Sequence, residues 1–245
     1  MMARYKQGLA FGYVQGTKYY RDRPMRDNLG SIPPTSTFKN YPEAERLKLP
    51  DPDLSRPANL WQCLAKRRSE RDYTAEPLGI EELSKLMWAA QGVTARAGTY
   101  LLRTAPSAGA LYPFETYLYI DKVKNVPQGI YHFNVGDFTL ECMQKGDFNK
   151  ALTAASLGQP VVRRAAVVII WTAMMLRCMV KYRDRAVRYI PMDLGHVCQN
   201  VQLASTAMGL GSCPIGALYD DDVNELLGVD GEEETVLYLI TVGKV

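Results

Sequence analysis

The stretch RTAPSAGALYPFETYLYI, Arg103 to Ile120, changes character at its middle. Ala105, Pro106, Ser107, Ala108, Gly109 and Ala110 leave the backbone bare, whereas Phe114 to Ile120 is dense in the aromatic and β-branched residues that favour strands. Glycine and alanine let a backbone approach something flat, because no side chain holds it away. Taken alone, the same residues also make an ordinary tight turn. The stretch predicts a strand that opens directly after a bare loop, and it leaves open what the loop faces.

The chain of 245 residues is 47% hydrophobic, enough for one large core, and one body is expected rather than two. Lys and Arg number 29 against 26 Asp and Glu, so the net charge of +3 is too weak to argue for a nucleic-acid or membrane surface. An anionic small molecule remains open, since it needs local rather than global charge. Cys63, Cys142, Cys178, Cys198 and Cys213 are odd in number and scattered, with no CxxC pair and no histidine at ligand spacing. Neither a disulfide framework nor a metal site is expected. The opening MMARYKQGLAFGYVQGTKYYRDR has polar and charged residues throughout and lacks a signal peptide's apolar core. The longest apolar run, Ala165 to Leu176, falls short of the roughly 18 residues of a membrane span. A cytoplasmic protein is the expectation.

Residues 1–57 are rich in Pro, Tyr, Arg and Lys, with prolines at 33, 34, 42, 50, 52 and 57. They predict an extended arm with at most one short helix, wrapped over a body of residues 58–245. In that body, Asn59 is expected to cap a helix with Leu60, Cys63 and Leu64 inward and Lys66, Arg67 and Arg68 at its far end. A second helix fits IEELSKLMWAAQG, with Leu83, Leu86, Met87 and Ala90 on one face and Gly92 at its stop. GIYHF and FTLECM flank Asn134 to Asp137 as a hairpin, and a helix spans Asp147 to Leu157. AAVVIIWTA reads as a central strand buried on both faces.

Asp193 is expected to cap a helix whose stripe is Leu194, Val197, Cys198, Val201, Ala204, Ser205 and Met208, with Gly209 at its end. Leu203 and Ala207 extend its apolar surface to another side. A short helix DDVNELLG and a last strand VLYLITVGKV follow. Helices and strands mix without βαβ alternation, which predicts an α+β sandwich with a mostly antiparallel sheet flanked by helices.

GLGSCPIG, Gly209 to Gly216, superficially matches a dinucleotide loop, but that fingerprint requires a strand before it and a helix after it. Here a helix precedes and Pro214 interrupts. The segment is expected to be irregular backbone with free N–H groups. In KRRSERDY, Arg67, Arg68, Ser69 and Arg71 fall within five residues. Arginine forks match phosphate oxygens, and a spacing of four puts Arg67 and Arg71 on one helix face, a pocket for one anionic group. The same cluster also reads as a solvated helix end.

Together these segments resemble the nitroreductase family. RRSxR, PSAGALYP before a strand, DLGHVCQN on a helix, GLGSCPIG and a closing VGK occur in that order, most similar to the SagB-type dehydrogenase branch, and the resemblance covers about residues 58–245. It implies a homodimer with non-covalent FMN at the subunit interface. By position, Arg67, Arg68 and Ser69 would hold the ribityl phosphate and chain, Arg71 the pyrimidine edge, and Lys244 the phosphate. Pro106, Ser107, Ala108, Gly109 and Ala110 would lie along the flavin, and Pro214, Ile215 and Gly216 near its N5.

In azoline-oxidising members a Lys-Tyr pair follows the central strand, where this chain has Lys181 and Tyr182. Making an azole from an azoline removes a carbon-bound proton as hydride leaves. A phenol with pKa of about 10 needs a neighbouring ammonium to act as base. Adjacent helical residues point about 100° apart, so the two converge only where the backbone is irregular or from different sides of a substrate. His132 and His196 read as structural.

The resemblance implies an FMN-dependent oxidation of azolines in a ribosomally made peptide, and it leaves open whether a cyclodehydratase is a partner. A general reductase fed by NAD(P)H, acting on nitro compounds or quinones, is the alternative, and a non-catalytic scaffold is a third. The breadth of the Asp193 to Met208 helix favours a homodimer.

Overall fold

The computed structural model describes residues 6–22, 30–33, 35–55, 57–98 and 100–245. Pro34 and the stretch 23–29 of the expected arm lie outside the described residues. The strands are β1 (Glu45–Lys48), β2 (Val93–Ala97), β3 (Tyr100–Arg103), β4 (Phe114–Ile120), β5 (Gly129–Asn134), β6 (Thr139–Lys145), β7 (Val167–Met174), β8 (Leu210–Ile215) and β9 (Glu234–Lys244). The helices are α1 (Leu9–Gly16), α2 (Leu60–Lys66), α3 (Ile80–Gln91), α4 (Asn149–Ala155), α5 (Pro160–Arg164), α6 (Met175–Tyr182), α7 (Ala186–Ala207) and α8 (Asp220–Leu227).

Seven strands form one sheet in the order β1-β6-β5-β4-β7-β9-β8, with every pair antiparallel, and β2 and β3 make a separate hairpin. The apolar run in β7 is buried on both faces because side chains alternate along a strand. Val167, Ile169, Trp171 and Ala173 pack with α3 and α7 in one layer, while Val168 and Ile170 meet α4, α5 and α8 in the other. Fully burying one such side chain is worth about 1.5–3 kcal/mol, so two loaded faces make β4, β7 and β9 the rigid centre. The sheet with helices on both faces is the expected α+β sandwich.

Helix α3 forms as expected. Glu82 accepts the Gly79 N–H at 2.8 Å, Gly92 ends the helix, and Leu83, Leu86, Met87 and Ala90 are fully buried. The hairpin between β5 and β6 is closed by Asn134 Oδ1 accepting the Asp137 N–H at 3.0 Å.

Three expectations are corrected. Asn59 does cap α2, accepting the Gln62 N–H at 3.1 Å, but the helix stops at Lys66, since Arg67 is extended at ψ 124°. Arg67 and Arg71 therefore do not share a helix face. Only Cys63 of α2 is buried; Leu60 and Leu64 are 54% and 44% exposed, beside Trp61 at 77%.

Helix α7 starts at Ala186 rather than at Asp193, which lies buried inside it with Leu194, Val197, Cys198, Val201 and Ser205. Pro191 removes one intrahelical donor, leaving the carbonyl four residues back without its usual partner. Tyr13, from the arm, donates its Oη to that Val187 carbonyl at 3.1 Å. The helix continues through the proline because another segment satisfies the freed oxygen. Leu203 is half-buried and Ala207 exposed.

GLGSCPIG is regular rather than irregular: β8 pairs with β9 from Leu210↔Lys244 to Ile215↔Leu239. It is an edge strand of the sheet, and its outward Ser212 carbonyl accepts the Glu70 N–H at 3.0 Å. Pro214, two residues on, points the same way, where its missing N–H costs no ladder bond.

Within residues 1–57, β1 adds to the edge of the sheet beside β6, and Leu49 is fully buried. Among the described residues no helix is long and apolar enough to cross a membrane, and no cluster of His, Cys, Asp or Glu could hold a metal ion.

Candidate functional site

The bare loop between β3 and β4 is held from three directions. The Ser107 Oγ accepts the Tyr112 N–H at 3.0 Å, and the Ala108 N–H donates to Asp193 Oδ2 at 2.8 Å. Tyr112 Oη accepts the Arg103 N–H at 3.1 Å, and its ring lies 4.5 Å from the Arg103 guanidinium. Gly109 and Ala110 are left-handed, at φ 63° and 53°, which turns the loop within two residues.

Gly109 is also where two side chains meet. A Cβ there would stand 2.8 Å from Tyr182 Oη and 2.9 Å from Lys181 Nζ. The two residues occupy the last turn of α6, which ends at Arg183 with φ 47°. Although they are adjacent on a helix, their side chains are long enough to bend to one point above the loop. The Tyr182 ring packs edge-on against Tyr189, with centroids 4.8 Å apart, and Lys181 Nζ lies 5.4 Å from the Tyr182 ring. Arg185 donates to Tyr189 Oη at 3.1 Å, and this bond holds the Tyr189 hydroxyl below its ordinary pKa.

A second group forms along β8 and β9. After α2, residues 67–73 run past the sheet edge, and Tyr73 lies over two glycines. A Cβ on Gly243 would stand 2.7 Å from its Cγ, and one on Gly211 would stand 3.0 Å from its Cε1. Tyr73 Oη pairs with Thr241 Oγ1 at 2.8 Å, and burial pushes its pKa up. This anchoring presents Arg67, Arg68, Ser69 and Arg71 together. Among the described residues none of the three arginines has a carboxylate partner. Lys244 does: its ammonium lies 2.6 Å from Glu82. Pro214 and Ile215 are at least half-buried in β8, and Gly216 is exposed just beyond it.

The structure thus gathers the expected residues in two groups: the loop with Lys181 and Tyr182, and the arginines with β8 and Lys244. Helix α7 packs against α2, β8 and the loop, and so spans both. His196 is exposed on α7 rather than in the core. His132 is buried and hydrogen-bonded, as expected, between Glu141 at 2.9 Å and Glu115 at 3.0 Å.

Sequence reasoning missed Asp193 as a loop anchor, because it read as a helix cap, and it missed a buried ionic network. Glu115 pairs with Arg177 at 2.5 Å, and Arg177 Nε donates to the Ser36 carbonyl at 2.7 Å. Lys39 reaches Glu234 at 2.6 Å, and the Tyr41 N–H reaches Glu141 at 3.1 Å. Residues 36–41 therefore roof the network. Its signal was present as charged residues, Glu115 and Glu141, inside strands otherwise made of strand formers.

Residues 64–244 match the Nitroreductase family. The chain belongs to this family. A nitroreductase homologue of Methanocaldococcus jannaschii, MJ1384, is 36% identical over 203 residues, 83% of this chain and 94% of that protein. The trifolitoxin-processing protein TfxB of Rhizobium leguminosarum bv. trifolii is 30% identical over 150 residues, 59% of this chain and 40% of that protein. Among solved structures, a chain of the E. coli microcin synthetase McbBCD complex, with truncated pro-MccB17 bound, superposes with a TM-score of 0.63. It is 21% identical, covering 97% of this chain and 82% of that one, and so shows the shared nitroreductase fold. As a nitroreductase-family member the chain is an oxidoreductase.

Proposed function

We propose that this chain is an FMN-dependent dehydrogenase that oxidises azoline rings in a ribosomally made peptide to azoles, acting as a homodimer in the cytoplasm. The observation that carries the reading is the meeting of Lys181 Nζ and Tyr182 Oη over Gly109 in the bare loop. The residues present fit FMN. Three arginines without carboxylate partners and Ser69 supply donors for one phosphate, and Ser107 to Ala110 offer backbone for a flat ring. Lys244 would join the phosphate site by leaving Glu82. Pro106 and the Pro214 to Gly216 segment would border the ring.

When bound, FMN supplies the acceptor for the hydride that leaves the azoline carbon. The chain supplies the rest. Tyr182 Oη, held as a phenolate by the Lys181 ammonium beside it, takes the carbon-bound proton and becomes a neutral phenol. The Asp193 bond holds the loop, and with it the distance between ring and base.

Similarity to a trifolitoxin-processing protein supports a peptide substrate, and a fold shared with a microcin synthetase chain is consistent with a cyclodehydratase partner. Exposed Leu60, Trp61 and Leu64 on α2 give a homodimer an apolar face to bury. We also take residues 1–57 as an arm on a single FMN-binding domain, 58–245. The test is turnover of an azoline peptide by FMN-loaded protein, read as loss of two hydrogens per ring. Protein that neither binds FMN nor changes the peptide's mass would refute the proposal.

The similarity to MJ1384 over most of both chains favours a second reading, a reductase that passes electrons from NAD(P)H to nitro compounds or quinones. That chemistry needs no base, so Lys181→Ala and Tyr182→Phe would leave it nearly unchanged.

A further inference from the structure

Beside the Lys181–Tyr182 pair lies a cavity of about 330 Å³, between the arm, β3, the end of the bare loop and α6. Thr35, Thr37 and Phe38 line it from the arm, Tyr112 from the loop, and Arg177 and Val180 from α6. Its size is at the lower end of small-ligand pockets, which begin at roughly 300 Å³.

Arg177 is only 4% exposed, and two of its nitrogens are used: Nε on the Ser36 carbonyl and Nη2 on Glu115. Its Nη1 is buried without an acceptor. A second arginine stands behind the aromatic wall. The Arg103 guanidinium lies 5.5 Å from the Phe38 ring and 4.5 Å from the Tyr112 ring, and its Nε also has no partner. Buried guanidinium donors left unpaired are costly, and although Glu115 Oε1 is likewise buried without a hydrogen bond, it lies 2.5 Å from Arg177 Nη2 and so leaves Nη1 for another acceptor.

Charge points the same way. The acid facing both arginines is Glu115, which is shared with His132. Glu141 is taken by the other nitrogen of His132 and by Arg46. Cations therefore outnumber anions around the cavity. Burial, eased by Glu115 and deepened by Arg177, holds the Arg103 pKa down to about 10, as expected for a cation with too little compensation.

We propose that this cavity is a subsite for a carboxylate carried by the peptide substrate, bound through Arg177 Nη1 with the Thr35 and Thr37 hydroxyls beside it. The proposal rests on the peptide-oxidising reading above. It sets where the reacting ring would sit: Arg177 and Lys181 are one turn apart on one face of α6, and Ala110 of the cavity wall adjoins Gly109. The carboxylate would come from an acidic side chain or from the end of the peptide.

The experiment measures by calorimetry the binding, without turnover, of three N-acetylated, unlabelled hexapeptides of one sequence to FMN-loaded protein. One ends in a free carboxylate, one in a carboxamide, and one in a carboxamide with a single internal Asn replaced by Asp. The fully amidated neutral peptide is expected to bind at least about tenfold more weakly than an acidic one, the loss of one charge-assisted contact. Comparing the two acidic probes tells the sources apart. Arg177→Lys keeps a charge opposite Glu115 but loses the fork, and should shrink the preference to less than about threefold. Should that variant fail to fold, Thr37→Trp, which fills the cavity from the arm, should remove the acidic preference by itself. Equal affinity for acidic and neutral peptides, no binding of any probe, or a preference that survives Thr37→Trp would overturn the subsite. Acid preference without azoline oxidation would overturn the reaction and leave the subsite standing.

Discussion

Asp193 accepts the Ala108 N–H at 2.8 Å, so a carboxylate buried in helix α7 holds the loop that we assign to the flavin. A hydrogen bond to a charged group is worth about 1.5–3 kcal/mol. Asp193→Ala should lower stability by about that amount in urea unfolding and weaken FMN binding. Asp193→Asn retains an acceptor and should recover most of both losses. An Ala variant with wild-type stability and FMN affinity would show that the loop holds itself.

Gly109 lets Lys181 and Tyr182 meet above it. A methyl group there would collide with both, at a backbone φ of 63° that costs an L-residue roughly 1–2 kcal/mol. Gly109→Ala should therefore reduce azoline turnover, while Lys181→Ala and Tyr182→Phe should each reduce it by about two to four powers of ten. Lys181→Ala and Tyr182→Phe should keep FMN and fold. Equal losses on an azoline peptide and on a quinone would place the damage in the flavin pocket instead of at the base.

The arginines after α2 predict a graded loss of cofactor. Arg67→Ala and Arg71→Ala should each weaken FMN binding about ten- to a hundredfold, followed by flavin fluorescence, since charge-assisted bonds carry that affinity. Glu82→Gln frees Lys244 from its ion pair and should tighten FMN binding or leave it unchanged. Weaker binding in Glu82→Gln would exclude Lys244 from the phosphate site.

His132 makes stability depend on pH. Burial lowers its pKa, but Glu115 and Glu141 outweigh burial and leave it raised. A raised folded pKa gives stability that is complete below the unfolded value, about 6.5, and lost as pH rises through the folded value. Burial raises Glu115 and Glu141, yet their partners leave both lowered, so their contribution is complete above about 4.3 and lost as pH falls further. Urea midpoints should decline from about pH 6.5 upward, and His132→Gln should flatten that decline. A decline of equal slope in the variant would assign it to other groups.

The layered sheet was legible because periodicity is local: the seven apolar positions of β7 and the stripe of α3 follow from their own segments. The bare loop was legible for the same reason. Asp193 was not, because Pro191 hides the helix that precedes it, and what rescues that helix is Tyr13, distant in sequence. The early stop of α2 escaped for a like cause: residues 67–73 leave the helix to bind the edge of β8, a partner about 140 residues away. Arg177 lay unremarked in an apolar run, since its worth depends on Glu115 and Ser36. Chemistry assembled from distant segments leaves only single out-of-place letters in each.

The roof formed by residues 36–41 carries a kinetic consequence. Lys39 joins Glu234 across 195 positions and Ser36 joins Arg177 across 141, so each contact closes a loop of more than half the chain. Contacts of such separation form late, after more local pairings have supplied a surface on which to land. During synthesis the arm emerges early, and one of its anchors, Lys39 on Glu234, waits until β9 has been made. The roof is therefore complete only when the last strand of the chain has joined the sheet, which couples the cavity beside Lys181 to the end of the sequence.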